Sequence, residues 1–405
     1  MQIYQCGFLS SKQEPLSPGQ DISEPANSVP RSSPLSNCQK CQLLWSHDPS
    51  PVEGDGLTLT EIFDGGWGFT ASRTNGGNLY VWGDTVPTTL VRLADLESAN
   101  LSEVNECSFV GTPEDTLNHS NIVCTSFGFD QGLVVLETQK NDRLTESCWR
   151  VLFLTDEHTI RFQRLTLEKE HSIDAVSCGE QHMLALTHDG SVLARGVNTC
   201  GQLGVTTLSA ASPVGGSDCF ILAKSLSPVR IVSIAAGAQH SVALSEMGQI
   251  WTWGCSLHGQ CGLGSVVKSV PEPRLVSSLG PLCCTSVSAG IFHTLCCTDS
   301  GDVYSWGGNQ DGALGIASFE TRLEPVLVDC LGENDRIVKK VSAGARHSLA
   351  LCRNGDVYAF GCGTFGQLGV ELKVSNAPIK VKIPSGAIDV AAGWAHSLFL
   401  VKEQK

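Results

Sequence analysis

Five histidines, His182, His240, His293, His347 and His396, each stand three residues after a glycine, at Gly179, Gly237, Gly290, Gly344 and Gly393. Imidazole titrates near neutral pH and ligates metals, so a general acid–base centre or a metal site is the first chemistry such residues suggest. Their repetition argues against both. A catalytic base is needed once, whereas these histidines occupy one equivalent point of a recurring pattern. That usage predicts a structural role, hydrogen bonding to backbone groups where neighbouring repeats meet. The preceding glycines are expected to permit close backbone packing there.

Other candidates for chemistry are weaker. Cys38-Gln39-Lys40-Cys41 with His47 offers three metal donors where structural zinc takes four, so the pair reads as two thiols. There is no phosphate-binding glycine loop, nucleophile elbow or His-Glu-x-x-His helix, and the sequence predicts no cofactor and no metal. Of the 18 cysteines, Cys178, Cys255, Cys296, Cys297 and Cys352 fall inside strand patterns, where a thiol serves as a small apolar filler. Trp82, Trp253 and Trp306 are expected to be core between repeats rather than a ligand cage.

The elements that carry the histidines are hairpins. A second glycine, Gly196, Gly254, Gly307 or Gly361, lies 14 residues beyond four of the histidines. Val287 to Gly307 shows the unit: two short runs of small and β-branched residues flank the turn Asp299-Ser300-Gly301. Asp189-Gly190, Met247-Gly248 and Asn354-Gly355 take the same place in the other copies. A glycine-rich run follows, such as Cys200-Gly201-Gln202-Leu203-Gly204, and then another strand, so each unit of about fifty residues predicts a four-stranded propeller blade.

Weaker copies complete the count. Phe69 and Gly83 keep the spacing of 14, Gln131 takes the histidine's place in a degenerate copy, and His396 opens the last. The expected fold is all-β, one seven-bladed propeller over residues 1–405, with two degenerate blades over 57–157 and regular repeats over 158–405. The last copy lacks its second half. Because Ile3-Tyr4-Gln5-Cys6-Gly7 resembles Val303-Tyr304-Ser305-Trp306-Gly307, residues 2–8 are expected to pair beside residues 394–402 and close the ring. The Ser-, Pro- and Asn-rich stretch 10–56 reads as a disordered insertion.

The Ala-Gly-x-x-His-Ser run with its aromatic-Gly and Gly-Gln-Leu-Gly elements resembles the regulator of chromosome condensation repeat. The resemblance is specific from about Ser177 to Leu400, and length and closing strand are most similar to the small single-propeller members. It implies a seven-bladed propeller acting as a non-catalytic, chromatin-associated scaffold, with a Jumonji-type histone demethylase among the implied partners. The alternative it implies is nucleotide exchange on a Ran-like small GTPase. The ubiquitin-pathway and cilium roles of larger relatives are not expected.

Charge bears on the partner. The formal net charge is −14, and Val91 to Glu157 carries twelve acids against four bases. That sign disfavours direct binding to DNA phosphates. A basic partner such as a histone tail fits it, with Glu103, Glu106, Glu114 and Asp115 as the candidate docking surface; a merely solubilising acidic surface stays open beside it. Met1 to Ser10 lacks the pattern of a signal peptide, and no run approaches the roughly 18 apolar residues of a membrane span. The expected protein is therefore a monomer in a reducing compartment, nuclear or cytoplasmic.

Overall fold

A computed structural model describes residues 2–7, 42–45, 59–65, 69–74, 79–83, 89–91, 120–128, 131–140, 143–154, 159–165, 172–206, 217–329, 331 and 336–401. Their strands form seven four-stranded antiparallel sheets. Sheet I comprises Leu59–Gly65, Phe69–Thr74, Leu79–Gly83 and Thr89–Val91; sheet II comprises Ser120–Phe127, Gln131–Lys140, Arg143–Leu154 and Thr159–Leu165. Sheet III follows with Ile173–Cys178, His182–Thr187, Val192–Gly196 and Ser217–Leu222, and sheet IV with Ile231–Ala236, His240–Ser245, Ile250–Ser256 and Val267–Leu275. Sheet V is Cys284–Ala289, His293–Thr298, Val303–Gly307 and Arg322–Leu327, and sheet VI is Val338–Ala343, His347–Cys352, Val357–Cys362 and Val374–Lys380.

Sheet VII draws on both ends of the chain. Ala387–Ala392 and His396–Val401 are joined by Gln2–Gly7 and then by Gln42–Trp45. Gln2–Gly7 runs antiparallel to His396–Val401, with Gly7 opposite His396.

The register explains the spacing of 14. His182, His240, His293 and His347 each open the second strand of a sheet, directly opposite Gly196, Gly254, Gly307 and Gly361 on the third. Phe69 faces Gly83 in the same way. Gln131 instead faces Leu152, because the second and third strands of sheet II are lengthened to 10 and 12 residues.

Two boundaries differ from expectation. Thr159–Leu165 pairs with Arg143–Leu154, so the second unit runs past residue 157 to Leu165; without a glycine at the usual spacing, its long hairpin leaves the end unmarked. Within the stretch 10–56 read as disordered, Gln42–Trp45 is a strand, its Leu43-Leu44-Trp45 run short but apolar enough to edge sheet VII. The remainder of that stretch, with Cys38, Cys41 and His47, lies outside the described residues.

Hydrophobic packing sits between sheets. Trp253 of sheet IV packs with Leu184, Val192 and Leu203 of sheet III, Trp306 of sheet V with Val242 and Ile250 of sheet IV, and Phe360 of sheet VI with Leu295 and Val303 of sheet V. Each ring precedes the second glycine of its copy, and removing one from water contributes roughly 4–6 kcal/mol before the entropy of ordering it. Cys6 takes that position in sheet VII and packs with Leu349 and Val357 of sheet VI. Cys178, Cys255, Cys296, Cys297 and Cys352 are buried free thiols. Cys6 is disulfide-bonded, a cross-link not expected of a chain whose cysteines read as thiols.

Serines stitch the innermost strands. The amides of Cys178, Ala236, Ala343 and Ala392 donate to the hydroxyls of Ser126, Ser177, Ser288 and Ser342 of the preceding sheets, at 2.9–3.0 Å. Residues from the first strands of sheets II to VII line one shared cavity of about 70 Å³.

Candidate functional site

The glycine-x-x-histidine corners meet at the joints between sheets. Nε2 of His182 lies 2.9 Å from the hydroxyl of Ser241 on the next sheet, and that hydroxyl donates to the carbonyl of Gln202 in sheet III's glycine-rich loop at 2.8 Å. The same arrangement joins His240, Thr294 and the Gln260 carbonyl; His293, Ser348 and the Ala313 carbonyl; and His347, Ser397 and the Gln367 carbonyl. A hydroxyl that gives its one proton to a carbonyl must accept from the imidazole, so Nε2 carries the hydrogen. These four histidines thus bond a side-chain hydroxyl that relays to the backbone.

These rings are neutral for a physical reason. All five slot histidines are fully buried, and burial lowers His182, His293 and His396 to about 4, His240 and His347 to about 3. Nδ1 of His182, His240 and His347 has no hydrogen-bond partner, so a protonated ring would bury an unmet donor. Such a group cannot exchange protons with a substrate.

The glycines follow from the same packing. A Cβ on Gly237 would overlap the His240 ring and stand 2.6 Å from the Gly290 carbonyl. At the far end of the glycine-rich loop, Gly262 has φ +69°, and a Cβ there would lie 2.7 Å from the Trp306 indole nitrogen. Trp306 Nε1–H donates to the Gln260 carbonyl at 2.9 Å, as Trp253 Nε1–H does to that of Gln202. One loop carbonyl therefore receives both a hydroxyl and an indole from the following sheet.

Beside this uniform frame lies a face that varies. The loop residue before the first glycine of the Gly-x-x-Gly run is Cys200, His258, Asp311 or Phe365, and the first three face the residue before the next sheet's histidine. Cys200 Sγ lies 3.8 Å from Gln239 Oε1, the His258 ring meets the Phe292 ring at a tilt of 48° with centroids 4.3 Å apart, and Asp311 takes a bidentate pair of bonds from half-exposed Arg346 at 2.5 and 2.8 Å. Ala238, Ile291 and Ala345 form an apolar centre with Phe292 and Trp394 at their edge. Sequence reading missed this set. Its signal was the glycine-rich run itself, in which the flanking residue changes character while the glycines stay.

Glu103, Glu106, Glu114 and Asp115 lie outside the described residues. Among the described residues no group of three or more His, Cys, Asp or Glu side chains is arranged to hold a metal ion. No described helix is long and apolar enough to cross a membrane.

Repeated four-stranded blades, locked at their joints by buried histidines and bearing a varied rim, define a propeller-type repeat protein. The RCC1-like domain pattern matches residues 147–405, well over half of the chain, and the chain belongs to that family. It is similar to the ultraviolet-B receptor UVR8 of Arabidopsis thaliana, 31% identical over 245 residues, covering 58% of this chain and 53% of that protein. It also resembles the probable E3 ubiquitin-protein ligase HERC4 of Homo sapiens, 39% identical over 270 residues, 55% of this chain and 25% of the ligase. The chain thus spans about half, or less, of these relatives.

Among solved structures, human WBSCR16 superposes with a TM-score of 0.72 at 19% identity, covering 100% of both chains. Prp20p of Saccharomyces cerevisiae, described with its binding to Gsp1p and histones, gives 0.66 at 18% identity over 98% of this chain and 90% of Prp20p. At these identities the likeness is one of fold.

Proposed function

We propose that this chain is a non-catalytic protein-interaction scaffold, a closed seven-bladed ring that presents its rim to a basic protein partner. The observation that carries the reading is the burial of every slot histidine: the one residue type whose recurrence invited chemistry is spent on holding blades together. Recognition then falls to the surface.

Closure is supported by the pairing of Gln2–Gly7 with His396–Val401 and by contact of Ala387–Ala392 in sheet VII with Leu59–Gly65 in sheet I, which in turn touches Ser120–Phe127 in sheet II. Deleting residues 1–10 should lower the melting temperature by about 10 °C or more, since a central strand of sheet VII is lost. An unchanged melting curve overturns the closure.

The acidic excess favours a histone tail or a histone-modifying enzyme such as a Jumonji-type demethylase, in nucleus or cytoplasm, bound by a monomeric ring. Full-length protein is expected to bind biotinylated histone-tail peptides with an affinity that falls as salt rises. Combined charge reversal, Glu103→Lys, Glu106→Lys, Glu114→Lys and Asp115→Lys, should abolish binding while the melting temperature stays within about 2 °C, as substitutions on a solvated surface do. Retained binding overturns that docking surface.

A second reading is guanine nucleotide exchange on a Ran-like small GTPase, favoured by the fold shared with Prp20p. Nucleotide release from such a GTPase, accelerated by substoichiometric amounts of this chain, would replace the scaffold reading.

A further inference from the structure

The end of sheet VI away from the histidine corners is basic in an acidic chain. Residues 331–382 carry eight bases against four acids, in a protein whose formal net charge is −14. Register gathers five of these bases at one place. Val338 lies opposite Cys352, and the Val381 amide donates to the Val357 carbonyl at 2.8 Å, so the start of the first strand, the turn after the second and the end of the fourth share one end of the sheet. Arg336, Lys339, Arg353, Lys380 and Lys382 stand there, all exposed.

The fold does not require these charges. Ile173, Ile231, Cys284 and Val338 hold one equivalent position in sheets III to VI, opposite Thr187, Ser245, Thr298 and Cys352. The residue that follows is Asp174, Val232, Thr285 or Lys339 on the first strand, and His188, Glu246, Asp299 or Arg353 after the second. On the fourth strand, Lys380 stands where the other sheets have Leu222, Leu275 and Leu327. Sheets III, IV and V make the same hairpins without a lysine or arginine at these three places, so the cations of sheet VI are surplus to folding.

Neutral groups orient several of them. Lys339 Nζ donates to the Ile388 carbonyl of sheet VII at 3.2 Å, and Arg353 Nη2 donates to the Asp299 carbonyl of sheet V at 3.1 Å. The Arg336 guanidinium lies over the Tyr358 ring, 5.6 Å from its centre. Carbonyls and a ring fix a cation without cancelling its charge. Lys380 pairs with the Asp356 carboxylate at 2.7 Å, a partly exposed contact that a second carboxylate can share.

We propose that this end of sheet VI is a docking surface for an acidic segment of a partner protein, a second surface opposite in sign to the acidic one and independent of it. A short run of Asp and Glu matches the patch in sign and in its confinement to one sheet. A long polyanion such as a nucleic acid does not. The same end of sheets III and V carries Asp174, Asp189, Asp299 and Asp302, which such a chain would meet as soon as it left the patch.

The test measures binding of fluorescein-labelled deca-glutamate to the full chain by anisotropy, beside deca-glutamine and a DNA oligonucleotide of equal charge. Saturable binding of the glutamate peptide is expected, weakening as salt rises and absent for glutamine. Carbodiimide joins a carboxylate to an amine it touches. In the unaltered chain it should link the peptide to Lys339, Lys380 or Lys382 and not to the exposed Lys224 or Lys268.

Lys339→Asp combined with Arg353→Glu uses residue types that sheets III and IV already carry at these places, so the melting temperature should stay within about 2 °C while affinity falls about tenfold or more. Lys224→Glu combined with Lys268→Glu makes the same change in net charge elsewhere and should alter affinity by less than about twofold. No binding of the glutamate peptide, equal losses in the two double variants, cross-links at Lys224 and Lys268, or tighter binding of the oligonucleotide each overturns the proposal.

Discussion

Between pH 6.5 and pH 5 the melting temperature of this protein is expected to fall steeply. Each slot histidine titrates near 6.5 when unfolded and at about 3 or 4 when folded, so over this interval the unfolded chain binds protons that the folded chain refuses. Their contribution is fully present above pH 6.5 and is lost as pH falls towards the folded values. At pH 5 each costs about 2 kcal/mol, and five together on the order of 10 kcal/mol, comparable to the whole stability of an ordinary domain.

Calorimetry from pH 8 to pH 5 measures this directly, in a range above most carboxylate titration. A melting temperature that stays constant from pH 7 to pH 5 would show that the buried rings are not neutral residents of the joints. The variant His240→Gln should flatten the curve by the share of one proton, because an amide has nothing to titrate.

Gly237→Ala is expected to cost about 3 kcal/mol or more, the upper range of overpacking, because neither neighbour can yield. On one side stands the His240 ring, held through Thr294; on the other is the Gly290 carbonyl, which accepts the Ala238 amide. Gly386→Ala gives the contrast. The nearest atoms to a new Cβ there are 3.5 Å away, and its backbone is not left-handed, so the change should be neutral or stabilising by about half a kcal/mol. Urea midpoints of the two variants decide the matter. Equal midpoints would mean that the glycine slot is not space-limited.

Much of this frame was legible in the sequence because the repeat writes itself into the register. The spacing of 14 is the path from the first residue of one strand, round a hairpin, to the residue opposite it, and the likeness of Ile3–Gly7 to Val303–Gly307 set residues 2–8 beside residues 394–402, where the structure pairs Gly7 with His396. Sheet II was less readable, since its lengthened hairpin keeps the fold while losing the spacing. The hydroxyl partners were also in plain view, as Ser241, Thr294, Ser348 and Ser397 each follow a histidine. Only three dimensions show that each serves the histidine of the sheet before rather than its own neighbour in sequence.

The relay at the joints also has a direction. Histidine and loop carbonyl both come from the earlier sheet, and the hydroxyl they hold comes from the later one, so every grip reaches forward along the chain. During synthesis each sheet would leave the ribosome with its grip already formed and wait only for the next segment to supply the pin. Assembly could then ratchet from N- to C-terminus without any sheet having to reopen for its successor.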